Sequence, residues 1–341
     1  MMNKFGKELG EYIEFLNMSR KEFAARISTS QKNLIDIING EVELSQDMIY
    51  KISLVTDIPV NYIENVERNF KLNKLIDLFL KNHNLKINEY IKRYSIKESE
   101  EKYSIDITDS RDSYSVVRDL MRYLRISNLE QLYIEDNSIF YKSKNDKVEL
   151  LALWLERCYK LAMKQTIGKY KKDNINVLVS YIRNLAEKNI FDEKLLVEKF
   201  NENGVFLVIE DDLSGSKIRG AFKVLNDKPA IYLTRKHKRI ADIYFALFHE
   251  LAHLKSDYSR AKSGSLISFD KNDKADYELK ADKQAFNWMV DDKTYNEIKK
   301  DYQNVPDEVI KAFFAYRLAH DGIISYQSKF YQNNNILINL D

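Results

Sequence analysis

His249-Glu250-Leu251-Ala252-His253 constrains this chain more than any other five residues. On a helix, positions i and i+4 share a face, so both imidazoles of the pattern can reach one point in space. The preceding run, residues 241–248, is apolar, has helical spacing and contains no Gly or Pro. It predicts a buried helix that begins after Lys236-His237-Lys238-Arg239 and leaves the core at Lys255-Ser256-Asp257. Two converging imidazoles with an acid beside the first are half of a divalent-metal site. Zinc is the ion this spacing suits, with Glu250 as the catalytic general base.

Two histidines do not close such a site; a third protein ligand is required, with the fourth position left open. Residues 276–286 predict a second helix, with Leu279, Ala281, Ala285, Phe286 and Met289 on its apolar face. Glu278 and Asp282 lie four apart on one side of it. Glu278 is expected as the third metal ligand, with Asp276 or Asp282 as replacements. Asp282 is expected to accept the outer N–H of a liganding histidine and so fix its tautomer.

A length of 341 residues predicts two or three domains. With 54 Lys and Arg against 52 Asp and Glu, the net charge of +2 does not mark a polyanion binder by bulk charge. Nine Gly and three Pro favour a mainly helical chain with few tight turns. A single cysteine, Cys158, excludes an internal disulfide and fits a reducing cytosol. It falls in an apolar helical stretch over 150–162, where a packing role is expected. The first residues carry no apolar signal region, and no window reaches about 18 uncharged apolar residues. The expectation is a cytoplasmic protein with no membrane partner.

Residues 1–68 carry five short helical patterns. Ser19-Arg20-Lys21-Glu22 is a capping box, Ser28-Thr29 a turn, and Ser30 a cap for a helix over 31–39 that Gly40 ends. Two short helices around a tight turn predict a helix-turn-helix. The order of Leu9, Leu16, Ser19, Phe23-Ala24, Ser30, Leu34, Asn39-Gly40, Ile52 and Ile58-Pro59 resembles the XRE/Cro family of repressor domains. Ser28 stands where that family usually has glycine, and Ile38 where it often has glutamate. The resemblance implies that Gln31, Lys32 and Asn33 face base edges in the major groove of operator DNA. Over residues 1–66, seven Lys and Arg oppose ten Asp and Glu, a net −3. Because phosphate contacts supply much of the affinity of such domains, this one needs a dimer, a local basic patch or a protein ligand.

Residues 69–173 read as a helical middle region without a catalytic constellation. His83 reads as a surface residue, and the basic run over 164–172 as a solvated linker. Residues 174–341 combine helices over 175–185 and 192–200 with strands over 205–209, 218–224 and 230–233. A sheet edge beside the metal is expected, open to an extended peptide adding as a strand.

Gly204-Val205, Gly220-Ala221-Phe222, Ala230-Ile231-Tyr232-Leu233, Phe245, Phe248 to Leu254, and Glu278-x-x-Ala281-Asp282-x-x-Ala285 resemble the ImmA/IrrE metallopeptidase family. Together with the N-terminal segment, Phe140-Tyr141-Lys142-Ser143, Leu151 and Trp154-Leu155 look like the long HigA-type addiction-module antidotes. Lys280 departs from the family, which usually has an acid there. The resemblance implies a zinc-dependent endopeptidase that regulates transcription by cleaving a partner repressor. The alternative is a DNA-binding antitoxin of a toxin–antitoxin module whose metal site is regulatory. Implied partners are a protein substrate, operator DNA, a cognate toxin and a second copy of the chain. His237 and His320 are the histidines available to stabilise an oxyanion, although structural or surface roles are the stronger reading for both. The expected architecture is multi-domain and mainly α: an all-α helix-turn-helix, a helical middle, and a C-terminal α+β zincin-like metallopeptidase with a small sheet.

Overall fold

The computed structural model describes residues 4–133, 147–236, 238–262, 266–269 and 276–338. Hydroxyl caps set the N-terminal helices, as side-chain oxygens do wherever first-turn amides lack partners. Helix α1 (Lys4–Phe15) is followed by α2 (Arg20–Arg26), whose first turn is held by Ser19 Oγ accepting from Glu22 N at 3.1 Å. In α3 (Gln31–Asn39), Ser30 Oγ accepts from Asn33 N at 3.0 Å, and Gly40 ends the helix in the left-handed region at φ 73°. Then come α4 (Gln46–Thr56), capped by Ser45, and α5 (Val60–Asn82), which starts after Pro59. Phe5, Leu9, Phe23, Ile27, Leu34 and Ile52 are fully buried between these helices.

The chain continues through α6 (Ile87–Lys92), α7 (Ile96–Tyr103), α8 (Ser113–Leu124) and α9 (Val148–Ala162). Contacts divide it into two compact units, residues 1–89 with 108–118, and residues 90–107 with 119–341. Residues 69–173 are thus shared between the two. In the first unit, Tyr114 Oη donates to Asp77 Oδ1 at 2.5 Å, joining α8 to α5.

In the second unit, α10 (Asn174–Glu187) and α11 (Glu193–Glu202) precede β1 (Phe206–Glu210), β2 (Ile218–Leu225) and β3 (Lys228–Thr234). Next come α12 (Ile240–Ser256), α13 (Tyr258–Ala261), β4 (Leu266–Phe269), α14 (Asp276–Met289), α15 (Asp292–Ile298), α16 (Lys311–His320) and α17 (Lys329–Asn334). The sheet order is β1-β3-β2-β4, with β1 parallel to β3 and the other two pairings antiparallel. Strand side chains alternate between faces. Leu207, Ile209, Phe222, Ile231 and Leu233 therefore join the core of α12, while Tyr232 meets Trp154 of α9 edge-on, with centroids 6.2 Å apart. This sheet is covered on both faces at β1, which is buried at all five positions.

Helix α12 is buried at every position from 240 to 254 except Asp242. Each fully buried Leu or Phe contributes about 1.5–3 kcal/mol relative to exposure, so packing more than propensity anchors this helix. It has no side-chain cap of its own; Asn335, fully buried, supplies the acceptor, with Oδ1 2.9 Å from Ala241 N.

The sheet ends on β1 and β4, and β4 pairs with β2 over 218–222. In chain order this four-residue strand falls between α12 and α14, and it is too short to carry a periodicity of its own.

Ser28 sits in the left-handed region at φ 54°, where a Cβ is strained and glycine is not. Ser28→Gly is expected to raise stability by about 0.5–1 kcal/mol, read as an upward shift of the urea midpoint. An unchanged or lower midpoint would contradict the strain.

Candidate metal centre

Helix α12 presents His249 and His253 on one face, and α14 brings Glu278 against them. All three are buried, and their ligand atoms lie within 4.8 Å of one another. His249 Nε2 is 3.1 Å from His253 Nε2 and 3.0 Å from Glu278 Oε2, and His253 Nε2 is 3.4 Å from Glu278 Oε1. The outer nitrogens are occupied: His249 Nδ1 is 2.8 Å from Asp282 Oδ1, and His253 Nδ1 is 2.9 Å from Asp257 Oδ2.

This arrangement fits a metal. With each Nδ1–H donated to a carboxylate, neutral rings turn both Nε2 lone pairs inward, where they repel unless a cation lies between them. Zinc–nitrogen bonds of 2.0–2.1 Å at a tetrahedral angle set liganding nitrogens about 3.3 Å apart, close to the separation observed. Glu278 Oε1 is buried without a hydrogen-bond partner among the described residues, as an oxygen reserved for an ion would be.

Protons report the same field. Burial alone would depress the His249 imidazole, yet Asp282, Glu278 and Glu250 outweigh it and raise its pKa from 6.5 to about 10. His253 is likewise raised, burial being overcome by Asp257 and Glu278. Burial pushes the Glu278 carboxyl up, but the two histidines win and hold it at about 2. The pocket therefore demands positive charge, from protons or from a metal.

Glu250 is almost fully buried beside His249. A Cβ at position 220 would lie 2.6 Å from Glu250 Oε1, so glycine on β2 is what lets this carboxylate lie against the sheet. Neither Gly220's contact nor Asp257 was identified from sequence as part of the site. His253-x-x-x-Asp257 carries an i,i+4 signal; the Gly220 contact spans thirty positions and has no local signature.

Asp276 is exposed at the start of α14, outside the ligand group. His320 is exposed at the end of α16, its Nδ1 3.3 Å from Asp321 Oδ1. His237 and Phe140-Tyr141-Lys142-Ser143 lie outside the described residues. Cys158 is fully buried in α9, and burial pushes its thiol up. On α3, Gln31 and Lys32 are exposed, whereas Asn33 is half-buried and donates its amide to Thr29 Oγ1 at 2.8 Å.

A helix-turn-helix family model matches residues 11–63, the stretch that runs from α1 into α5. No curated protein matches the chain. Among the described residues, no helix is long and apolar enough to cross a membrane.

At pH 7 the metal-free site holds a proton on His249, so a divalent ion must displace it. Zinc affinity is expected to rise by at least about tenfold per pH unit below about 10, where the His249 proton must be displaced, and to flatten above it. Since the folded pKa is raised, this proton's stabilisation of the metal-free protein is full below 6.5 and lost as pH rises through about 10. Calorimetric zinc titrations in buffers of different ionisation enthalpy check this; binding without proton release would refute it.

Proposed function

We propose that this chain is a zinc-dependent endopeptidase that regulates transcription by cleaving a partner repressor or regulator, with its helix-turn-helix docking on DNA or on protein. The observation that carries the reading is the convergence of His249, His253 and Glu278 with Glu250 buried beside them. A purely structural zinc site needs no adjacent carboxylate. The resemblance to the ImmA/IrrE family extends the reading from hydrolysis in general to peptides.

His249 Nε2, His253 Nε2 and Glu278 would hold the ion, while Asp282 and Asp257 hold the rings in the liganding tautomer. Bound zinc supplies Lewis acidity, lowering the pKa of water and polarising a carbonyl. Glu250 takes a proton from water and returns it to the departing amine. Gly220 keeps room for that carboxylate against β2. Because β4 pairs along this stretch, an extended substrate adds outside β4 or displaces it.

On the DNA side, Gln31 and Lys32 are the exposed contacts at the start of α3, and Asn33 holds the turn through Thr29. A second reading, a DNA-binding regulator or antitoxin whose metal site is regulatory, is favoured by the helix-turn-helix match.

Glu250→Gln separates them. The variant is expected to bind zinc normally yet lose about 100- to 10,000-fold in cleavage of a mixed peptide library, read by mass spectrometry. Equal cleavage by both forms would remove Glu250 as the base, and cleavage by neither would favour the regulator.

A further inference from the structure

A groove opens at the end of α14 remote from the metal centre. It consists of two adjoining cavities of about 300 and 460 Å³ that share Arg183, Glu308, Val309 and Ile310. Both fall in the size range of small-molecule sites, about 300–1,000 Å³. Arg183 comes from α10, the shared residues 308–310 from the segment leading into α16, and Trp288 from the last turn of α14.

Arg183 is half-buried, and burial works against its charge. Its Nη1 donates to the carbonyls of Trp288 and of Met289, the latter at 2.8 Å, and so closes the last turn of α14. Among the described residues, Nη2 and Nε make no hydrogen bond and no carboxylate reaches ion-pair distance. Asp291 and Glu187 favour its charge from farther off. Asp291 is occupied as the cap of α15, where its Oδ1 accepts from Thr294 N at 3.0 Å, and Lys311 is held by Asp307 at 3.7 Å. Glu187 and Glu308 are exposed, and among the described residues neither side chain is in an ion pair or a hydrogen bond.

A guanidinium and carboxylates that border one cavity without meeting leave room for a group bearing both charges. The open Nη2 and Nε edge of Arg183 matches a carboxylate in bidentate fashion. Arg183 and Glu308 border both cavities, so the two partners serve one place and suit a carboxylate and an ammonium on a single carbon. The larger cavity adds an apolar wall from Val179, Trp288 and Ile310. The Trp288 ring is steadied from α12, with Phe248 at a centroid distance of 6.1 Å and Lys255 Nζ 5.3 Å from its centre. We infer that this groove binds a free aliphatic α-amino acid, with its carboxylate on Arg183, its ammonium on Glu308 and Glu187, and its side chain against Trp288 and Ile310. The site stands apart from the peptidase reading, and either can fail alone. Trp288 lies ten positions along α14 from Glu278, about 15 Å, so an occupant would touch the same helix that completes the metal centre.

Equilibrium dialysis of the full chain against radiolabelled L-leucine tests this. Saturable binding is expected. Unlabelled 4-methylpentanoate, which lacks the ammonium, and 3-methylbutylamine, which lacks the carboxylate, should compete at least about tenfold less well than leucine. Leucyl-glycine, whose charges are far apart, should compete as poorly. Glu187→Gln with Glu308→Gln should weaken leucine binding at least about tenfold while circular dichroism and the thermal midpoint stay unchanged. Arg183→Lys, which keeps a donor for the two carbonyls but loses the fork, should weaken it by about as much. No saturable uptake by the natural chain at millimolar leucine would overturn the inference. So would equal competition by any of the three analogues, or unchanged affinity after both glutamates are replaced.

Discussion

Two imidazole nitrogens held 3.1 Å apart, each ring fixed from behind by a carboxylate, are the constraint around which the C-terminal unit is organised. Neutral rings in that position oppose their lone pairs, and burial removes the water that would screen them. Only a positive charge at the centre relieves the conflict. The rise of both histidines and the fall of Glu278 express that demand in protons; a divalent ion expresses it in metal bonds.

The rest of the unit keeps that conflict rigid. Helix α12 is buried over nearly its whole length, so its two ligands cannot rotate away. Its first turn is closed by Asn335, 94 positions along the chain, and α14 reaches it through Phe286, whose ring is tilted 40° to that of Phe245 with centroids 4.7 Å apart. The sheet contributes a single glycine, the one place where β2 gives way to Glu250. Packing thus sets the geometry, and the geometry sets the chemistry on offer.

Much of this was legible in the sequence, for local reasons. The spacing of His249 and His253 and the capping of α2 and α3 by Ser19 and Ser30 are i,i+3 and i,i+4 relations that a helix enforces. Glu278 and Asp282 were legible for the same reason, once a third ligand was required. The strained serine at 28 was visible as a departure from the family pattern, but its left-handed backbone was not. What stayed hidden was non-local. Asn335 lies 94 positions from the amide it caps, Gly220 thirty from Glu250, and β4 is four residues whose pairing depends on β2. Arg219 reads as an ordinary strand residue until a bulge turns it toward α12.

The central claim is the presence of one metal ion between two helices, and X-ray diffraction from crystals grown with zinc, recorded on both sides of the zinc absorption edge, tests it most directly. A single anomalous peak about 2.0–2.2 Å from His249 Nε2, His253 Nε2 and a Glu278 oxygen is the result the account predicts. A peak elsewhere, or none at this site with the two rings still facing each other, would contradict it.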